Sequence, residues 1–302
     1  MDKKELDLSI IIVSYNTEKL TRECIQSVFK YTKNIAYEFL VMDNASKDGS
    51  IKMLKWLSQK LPLTLIANFG NIGFGAGNNQ GMEKARGKYL LLLNSDTLVK
   101  DNVLGEMVKW MDKHPKVGVS SCALKNTDGS LQGTGGYFPT LFKVFCWMFF
   151  LEDLPVISKL IKPYHPMHPK SPFYKGKDFF LKSHQRDWVT GAFFLFRKQV
   201  FADVGFFSKD YFMYVEEVDY CFRAKQKGWQ VWYLPVWSII HYGGASGTSE
   251  LALLSEFKGI KTFFKKYMPA WQMPILRFFL KSGAFLRIFI FGKIYAKAFK
   301  EI

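Results

Sequence analysis

The segment Tyr211–Trp229, YFMYVEEVDYCFRAKQKGW, places Glu216, Glu217 and Asp219 within four positions of a chain that is otherwise strongly basic. If VEEVDYCFRAKQKG is a helix that stops at Gly228, Glu216 and Asp219 are i,i+3 neighbours and Arg223 is i+4 from Asp219. Those three share a face and can neutralise one another, although an exposed pair of this kind adds only about 0.3–0.5 kcal/mol. Helical geometry turns Glu217 about 100° away from Glu216, toward Tyr220 and Cys221, which cannot neutralise it. Glu217 is the carboxylate left to take a proton as a general base.

Two more carboxylates follow apolar strands. Asp43 ends YEFLVMD and Asp96 follows KYLLLLNS. Asp43 suits either a turn cap within DNASKDGS or an acceptor for the imide N–H of uracil or thymine. A charge placed directly after a strand as buried as Asp96's is costly without a partner. A Mg²⁺ or Mn²⁺ ion bridging a diphosphate would be one, and a helix cap is the alternative. The glycines of FGNIGFGAGNNQG fit neither G-x-G-x-x-G nor a Walker A loop. They describe a flexible strand-to-helix loop, or bare backbone against which a flat nucleotide lies, with Asn71, Asn78 and Asn79 supplying hydrogen bonds.

The elements that must position these groups alternate over the first 120 or so residues. Apolar runs (LSIIIVSY, YEFLVMD, LTLIAN, KYLLLLNSD, VGVSSCAL) are separated by amphipathic helical patterns. Such runs imply a mainly parallel sheet covered on both faces, with ligands beyond the carboxyl ends of its strands. SYN, DNASKDGS and NSDT are the polar loops at those ends. From about 133 to 186 the alternation fails, and KPYHPMHPKSPFYKGKD suggests a lid or insertion. Order returns with the strand and helix of DWVTGAFFLFRKQVF, the carboxylate segment, and two strands, QVWYLP and WSIIHY.

The chain has 302 residues, is 48% hydrophobic and carries a formal net charge of +16. It is large enough for one or two domains and favours anionic partners. Cys24, Cys122, Cys146 and Cys221 are scattered, which disfavours a zinc knuckle or disulfide framework. With no apolar signal segment in MDKKELDLS, a cytoplasmic location is expected. From Phe257 onward, aromatic and aliphatic residues alternate with Lys and Arg, as in a helix lying in a bilayer interface. The segment 141–151 is an aromatic run that could join it, and a tail packed on the domain or at a dimer interface is the alternative. The charge and 17% aromatic content also permit a nucleic-acid-binding protein. No nucleic-acid motif accompanies them, so no nucleic-acid partner is expected.

SIIIVSYN, DNASKDGS, NIGFGAGNNQG, LLLNSDT, DWVTGAFFLFRK and FMYVEEVDYCFRAKQKGW followed by HYGGAS resemble, in order and spacing, the family 2 inverting glycosyltransferases, most of all their rhamnosyltransferase-type branch. The resemblance covers about residues 8–245. It implies an α/β GT-A fold with a nucleotide-binding half at about 1–125, the insertion at 133–186 and an acceptor half at 187–245, followed by the tail 246–302. It implies that Asp43 contacts the base, and that Ser14, Tyr15, Asn16, Asn71, Gly73, Asn79, Asn94, Ser95 and Asp96 surround the donor nucleotide. Asp96 and His241 would hold Mg²⁺ or Mn²⁺, with Asn94 where other members have Asp. Trp188, Gly191, Ala192, Glu216, Asp219 and Arg223 would line the donor-sugar and acceptor side, joined by Phe212 and Tyr214. Glu217 stands where the Y-x-E-D-x-D pattern has its catalytic Asp, one methylene longer. The implied reaction moves a sugar from a nucleotide donor, dTDP-L-rhamnose or a UDP-sugar, to a saccharide or lipid-linked saccharide.

Overall fold

The computed structural model describes residues 6–154, 156, 160–166, 178–243 and 249–302. Apolar strands and amphipathic helices alternate first: β1 (Leu8–Ser14), α1 (Glu18–Tyr31), β2 (Tyr37–Asp43), α2 (Ser50–Ser58), β3 (Leu63–Ala67), α3 (Phe74–Lys84), β4 (Tyr89–Leu93), β5 (Thr97–Leu98), α4 (Val103–Lys113) and β6 (Val117–Lys125). Then come β7 (Gly135–Gly136), α5 (Leu141–Met148), β8 (His184–Arg186), β9 (Trp188–Val189), β10 (Phe193–Arg197), α6 (Lys198–Val204), α7 (Glu216–Gln226) and β11 (Gln230–His241). Three helices follow: α8 (Ser249–Tyr267), α9 (Gln272–Phe291) and α10 (Lys293–Glu301).

The main sheet runs β3-β2-β1-β4-β10-β6-β11-β5, with β8 beside β11. β1 pairs in parallel with β2 and β4, and β6 with β11, whereas β10 is antiparallel to both β4 and β6. Strands buried on both faces need no polar alternation, and β1 shows why. Ile10 and Ile12 enter a core with Cys24, Leu54 and Met107, while Ile11 enters the opposite core with Met82, Tyr220 and Phe257.

The sequence suggests two strands in QVWYLP and WSIIHY, but they form the single strand β11. Its register against β6 shifts between Leu234 and Ser238. Pro235 cannot donate to a ladder, and the irregularity absorbs it without ending the strand. Most of the Pro- and Lys-rich part of the insertion, 167–177, lies outside the described residues, as do 244–248.

The carboxyl-terminal helices lie on the domain. In α9, Leu276, Leu280, Gly283, Ala284 and Arg287 are buried. Arg287 Nη2 donates to the Trp147 carbonyl at 2.5 Å. The other face exposes Phe278, Phe285 and Phe289, each more than half accessible, near Phe142 of α5 in character. No helix among the described residues is long and apolar enough to cross a membrane.

Candidate active site

The carboxyl ends of β1 and β2 carry two strained loops that hold one another. Asn16 and Ala45 adopt left-handed backbone angles, φ 53° and 63°, a conformation that costs non-glycine residues energy. The Asn16 amide donates to Ser46 Oγ, and Asn16 Oδ1 accepts from the Lys47 amide. Ser14 spends its hydroxyl on Thr17 and Thr21, and Ser95 lies 3.3 Å from Thr17 Oγ1. Tyr15 is half-buried at the same edge.

Asp43 is fully buried, and its Oδ1 accepts from the Ser46 amide at 2.9 Å. Its Oδ2 has no partner. A turn cap needs only the first oxygen, and a buried acceptor left unpaired is costly. Asn71 Oδ1 accepts from the Gly73 amide and Asn44 Nδ2. Gly73 has φ 86°, and a Cβ there would lie 2.7 Å from the Phe212 carbonyl. Glycine is what lets this loop press against the segment that leads into α7. Asn79 differs from expectation in its orientation. Both ends of its amide bond the Phe207 backbone, bracing α3 against that segment. Asn78 likewise bonds the Phe74 carbonyl within α3.

Antiparallel pairing of β11 with β5 sets His241 opposite Thr97, beside Asp96. Gln132 Nε2 donates to the His241 carbonyl at 2.7 Å, so Gln132 Oε1 accepts from His241 Nδ1, also at 2.7 Å. Nδ1 thus carries the proton. Nε2 faces Asn94 Nδ2 and Asp96 Oδ1, each 3.3 Å away. An unprotonated Nε2 and a carboxylate oxygen that close together are two electron-pair donors that a cation can share. Adjacent ligands of an octahedral ion with bonds of about 2.1 Å stand about 3 Å apart, so the pair fits Mg²⁺ or Mn²⁺. Among the described residues no third His, Cys, Asp or Glu converges there. The diphosphate and water would complete the shell.

The loop 190–192 joins this corner to the carboxylates. The Ala192 carbonyl accepts from the Asn94 amide at 3.0 Å, and the Gly191 backbone favours the charged form of Glu217. Tyr214 and Val215, both left-handed (φ 67° and 69°), turn the chain into α7. Glu216 and Glu217 therefore sit in its first turn, where free amides favour negative charge. Burial outweighs that help and pushes the Glu217 carboxyl up to about 7. The charge of His165 lowers it, and that of Glu256 raises it. Glu217 Oε2 has no hydrogen-bond partner.

Of the face expected to neutralise itself, only Asp219 and Arg223 pair, at 2.8 Å. Arg223 turns its remaining donors to the Val204 and Phe206 carbonyls, away from Glu216. Asp219 is fully buried and also bonds Lys266 at 2.9 Å and the Tyr267 hydroxyl at 2.7 Å. It clamps α7 to α8. Glu216 is left beside Glu217, and burial followed by the Glu217 charge pushes its carboxyl well above the usual range.

Trp188 is 5% exposed, and its indole N–H meets no acceptor. Its ring lies 5.3 Å from His165, whose Nε2 is 2.7 Å from Glu256 Oε1. Phe212 and Tyr214 remain partly exposed. The Tyr214 hydroxyl is pushed up to about 12 by burial and by the charges of Glu256, Glu217, Glu216 and Asp96. Sequence reasoning missed His165, Glu256 and Gln132. No spacing signal ties a loop histidine, a tail glutamate or a residue 109 positions from His241 to this site.

The sequence model of glycosyl transferase family 2 matches residues 9–205, and the chain belongs to that family. The match ends ahead of α7. N-acetylglucosaminyl-diphospho-decaprenol L-rhamnosyltransferase of Mycobacterium tuberculosis is 22% identical over 294 residues, covering 93% of this chain and 91% of that protein. Rhamnosyltransferase WbbL of Escherichia coli is 27% identical over 240 residues, covering 77% and 82%. Among solved structures, the mannosyltransferase PcManGT of Pyrobaculum calidifontis, in complex with GDP-Man and Mn²⁺, superposes with a TM-score of 0.58 at 16% identity, covering 98% of this chain and 74% of that one. GalNAc-T7 with UDP, GalNAc and Mn²⁺ gives 0.64 at 16% identity, covering 94% and 51%. The fold is GT-A, and the protein is a glycosyltransferase.

Proposed function

We propose that the protein transfers L-rhamnose from dTDP-rhamnose to a lipid-linked saccharide, with inversion, in cell-surface polysaccharide synthesis at the inner face of the membrane. The observation that carries the reading is Glu217, a buried carboxyl whose Oε2 is unpartnered and whose affinity for protons is matched to neutral pH. The acceptor hydroxyl gives its proton to Glu217 while its oxygen forms the bond to the anomeric carbon. The nucleoside diphosphate leaves from the opposite face with the electrons of the broken bond. Glu216, kept protonated, adds no second negative charge beside the base.

Asp43 Oδ2 is the acceptor for the imide N–H of the base, a contact that thymine and uracil share. The relatives' activities favour rhamnose. Bound at Asp96 and His241, Mg²⁺ or Mn²⁺ would neutralise charge on the departing diphosphate. The exposed aromatic face of α9, flanked by Lys281, Lys293 and Lys300, suits a bilayer interface where a lipid-linked acceptor is presented. The test is Glu217→Gln, measured by donor binding and by transfer. Donor affinity is retained and transfer is lost; near-normal turnover would remove the assignment.

A further inference from the structure

Between α8 and α9 lies an open groove of about 490 Å³ lined by Lys258, Lys261, Lys265 and Arg277 together with Phe264 and Met273. The three lysines recur at spacings of three and four, so one face of α8 presents them together. Like charges so placed repel. Burial, then Arg277 and Lys258, hold the Lys261 ammonium below the usual lysine range, only partly offset by Glu301. Among the described residues no carboxylate forms an ion pair with Lys258, Lys261 or Arg277. Lys261 donates to the main-chain oxygen of Glu301 at 3.3 Å. Asp210, the acid nearest in influence to Lys265, is already engaged by Lys266 and Ser208.

Lys258 and Lys261 also line a second cavity, of about 530 Å³, together with Phe212, Met213 and Tyr214 and with the acidic Asp210 and Glu301. The segment 212–214 leads directly into the helix that carries Glu217. Trp271 and Phe278 flank the groove's lining in sequence and are 64% and 66% exposed. Lys258 and Lys261 therefore stand between the basic groove and the segment that leads into α7.

We propose that this groove binds the phosphate or diphosphate of the lipid-linked acceptor, its oxygens on Lys258, Lys261 and Arg277 and its chain leaving past Trp271 and Phe278. The inference rests on the lipid-linked reading of the acceptor. A bilayer headgroup offers the same phosphate chemistry, but it has no need of cations on the stretch of α8 that packs against Tyr214 and Val215. Charge-assisted hydrogen bonds to phosphate relieve the repulsion among these cations as no neutral group can.

Calorimetric titration of the full chain with farnesyl diphosphate and with farnesol, in detergent, reads the site without any sugar transfer. Wild type binds the diphosphate about tenfold tighter or more. Lys258→Gln with Arg277→Gln abolishes the preference but keeps farnesol binding, which reports an intact fold, and still sediments with phosphatidylglycerol vesicles. Equal affinity of wild type for the two probes overturns the site, as does a double variant that keeps the preference. Loss of vesicle sedimentation with the farnesyl diphosphate preference unchanged also overturns it, and assigns the cations to headgroups. A protein that shows the preference yet transfers nothing to lipid-linked saccharides upholds the site and overturns the transfer reading.

Discussion

The donor edge and the acceptor edge solve the same electrostatic problem by different means. On the donor edge, Asp43 is fixed by its own loop, through the amide of Ser46 three residues on, and its buried second oxygen is left without a partner. On the acceptor edge, the surroundings of Glu217 come from Gly191, from His165 in the insertion and from Glu256 in α8. Even the turn that launches α7 depends on distant chain. A Cβ on Gly259 of α8 would lie 2.6 Å from Val215 Cγ2, so only glycine lets α8 sit against the strained Tyr214–Val215 pair. A recognition group needs an open, locally anchored acceptor. A base needs a tuned proton affinity, and tuning requires burial and charges gathered from several elements.

The contrast is tested most sharply by the two carboxylates themselves. Glu217→Gln lowers kcat by about 10²–10⁴-fold with donor Kd unchanged. A parallel loss of donor affinity would break the division of labour. Asp96→Asn follows, with kcat down about 10²–10³-fold and Mn²⁺ binding lost by electron paramagnetic resonance. Retained Mn²⁺ binding would place the ion elsewhere. Asp43→Asn raises donor Kd about tenfold and leaves the pH profile of kcat in place. A pH-profile change would mean that the donor edge shares in the tuning.

The smallest effect is the most diagnostic. The proposed role requires ionised Glu217, so kcat is expected to rise as pH passes about 7. Glu256→Gln removes a charge that raises the carboxyl, moving this limb to lower pH by up to about one unit. His165→Ala removes a charge that lowers it, moving the limb to higher pH by a similar amount. Shifts in the same direction would sink the account of how the base is tuned.

Much of the donor edge was legible because its signals are short-range. Apolar runs ending in polar loops place Asp43 and Asp96 at strand ends wherever the strands pair, and the glycine beside Asn71 marks a turn. Helix phasing separates Glu217 from Asp219 and Arg223 for the same reason. The fate of Glu216 was not legible. Phasing offers it Arg223, but the Val204 and Phe206 carbonyls and Asp219 occupy that guanidinium in the folded chain. Nor does spacing join Gln132 to His241, or the loop and tail residues to the base.

Periodicity, glycines and the order of motifs are local properties, and they suffice for the layered sheet, the strand-end carboxylates and the position of Glu217 on its helix. Proton affinity is not local. It depends on how much water is removed and on which charges remain nearby, and for Glu217 both are set by Gly191, His165 and Glu256 once the insertion and α8 have closed over the start of α7.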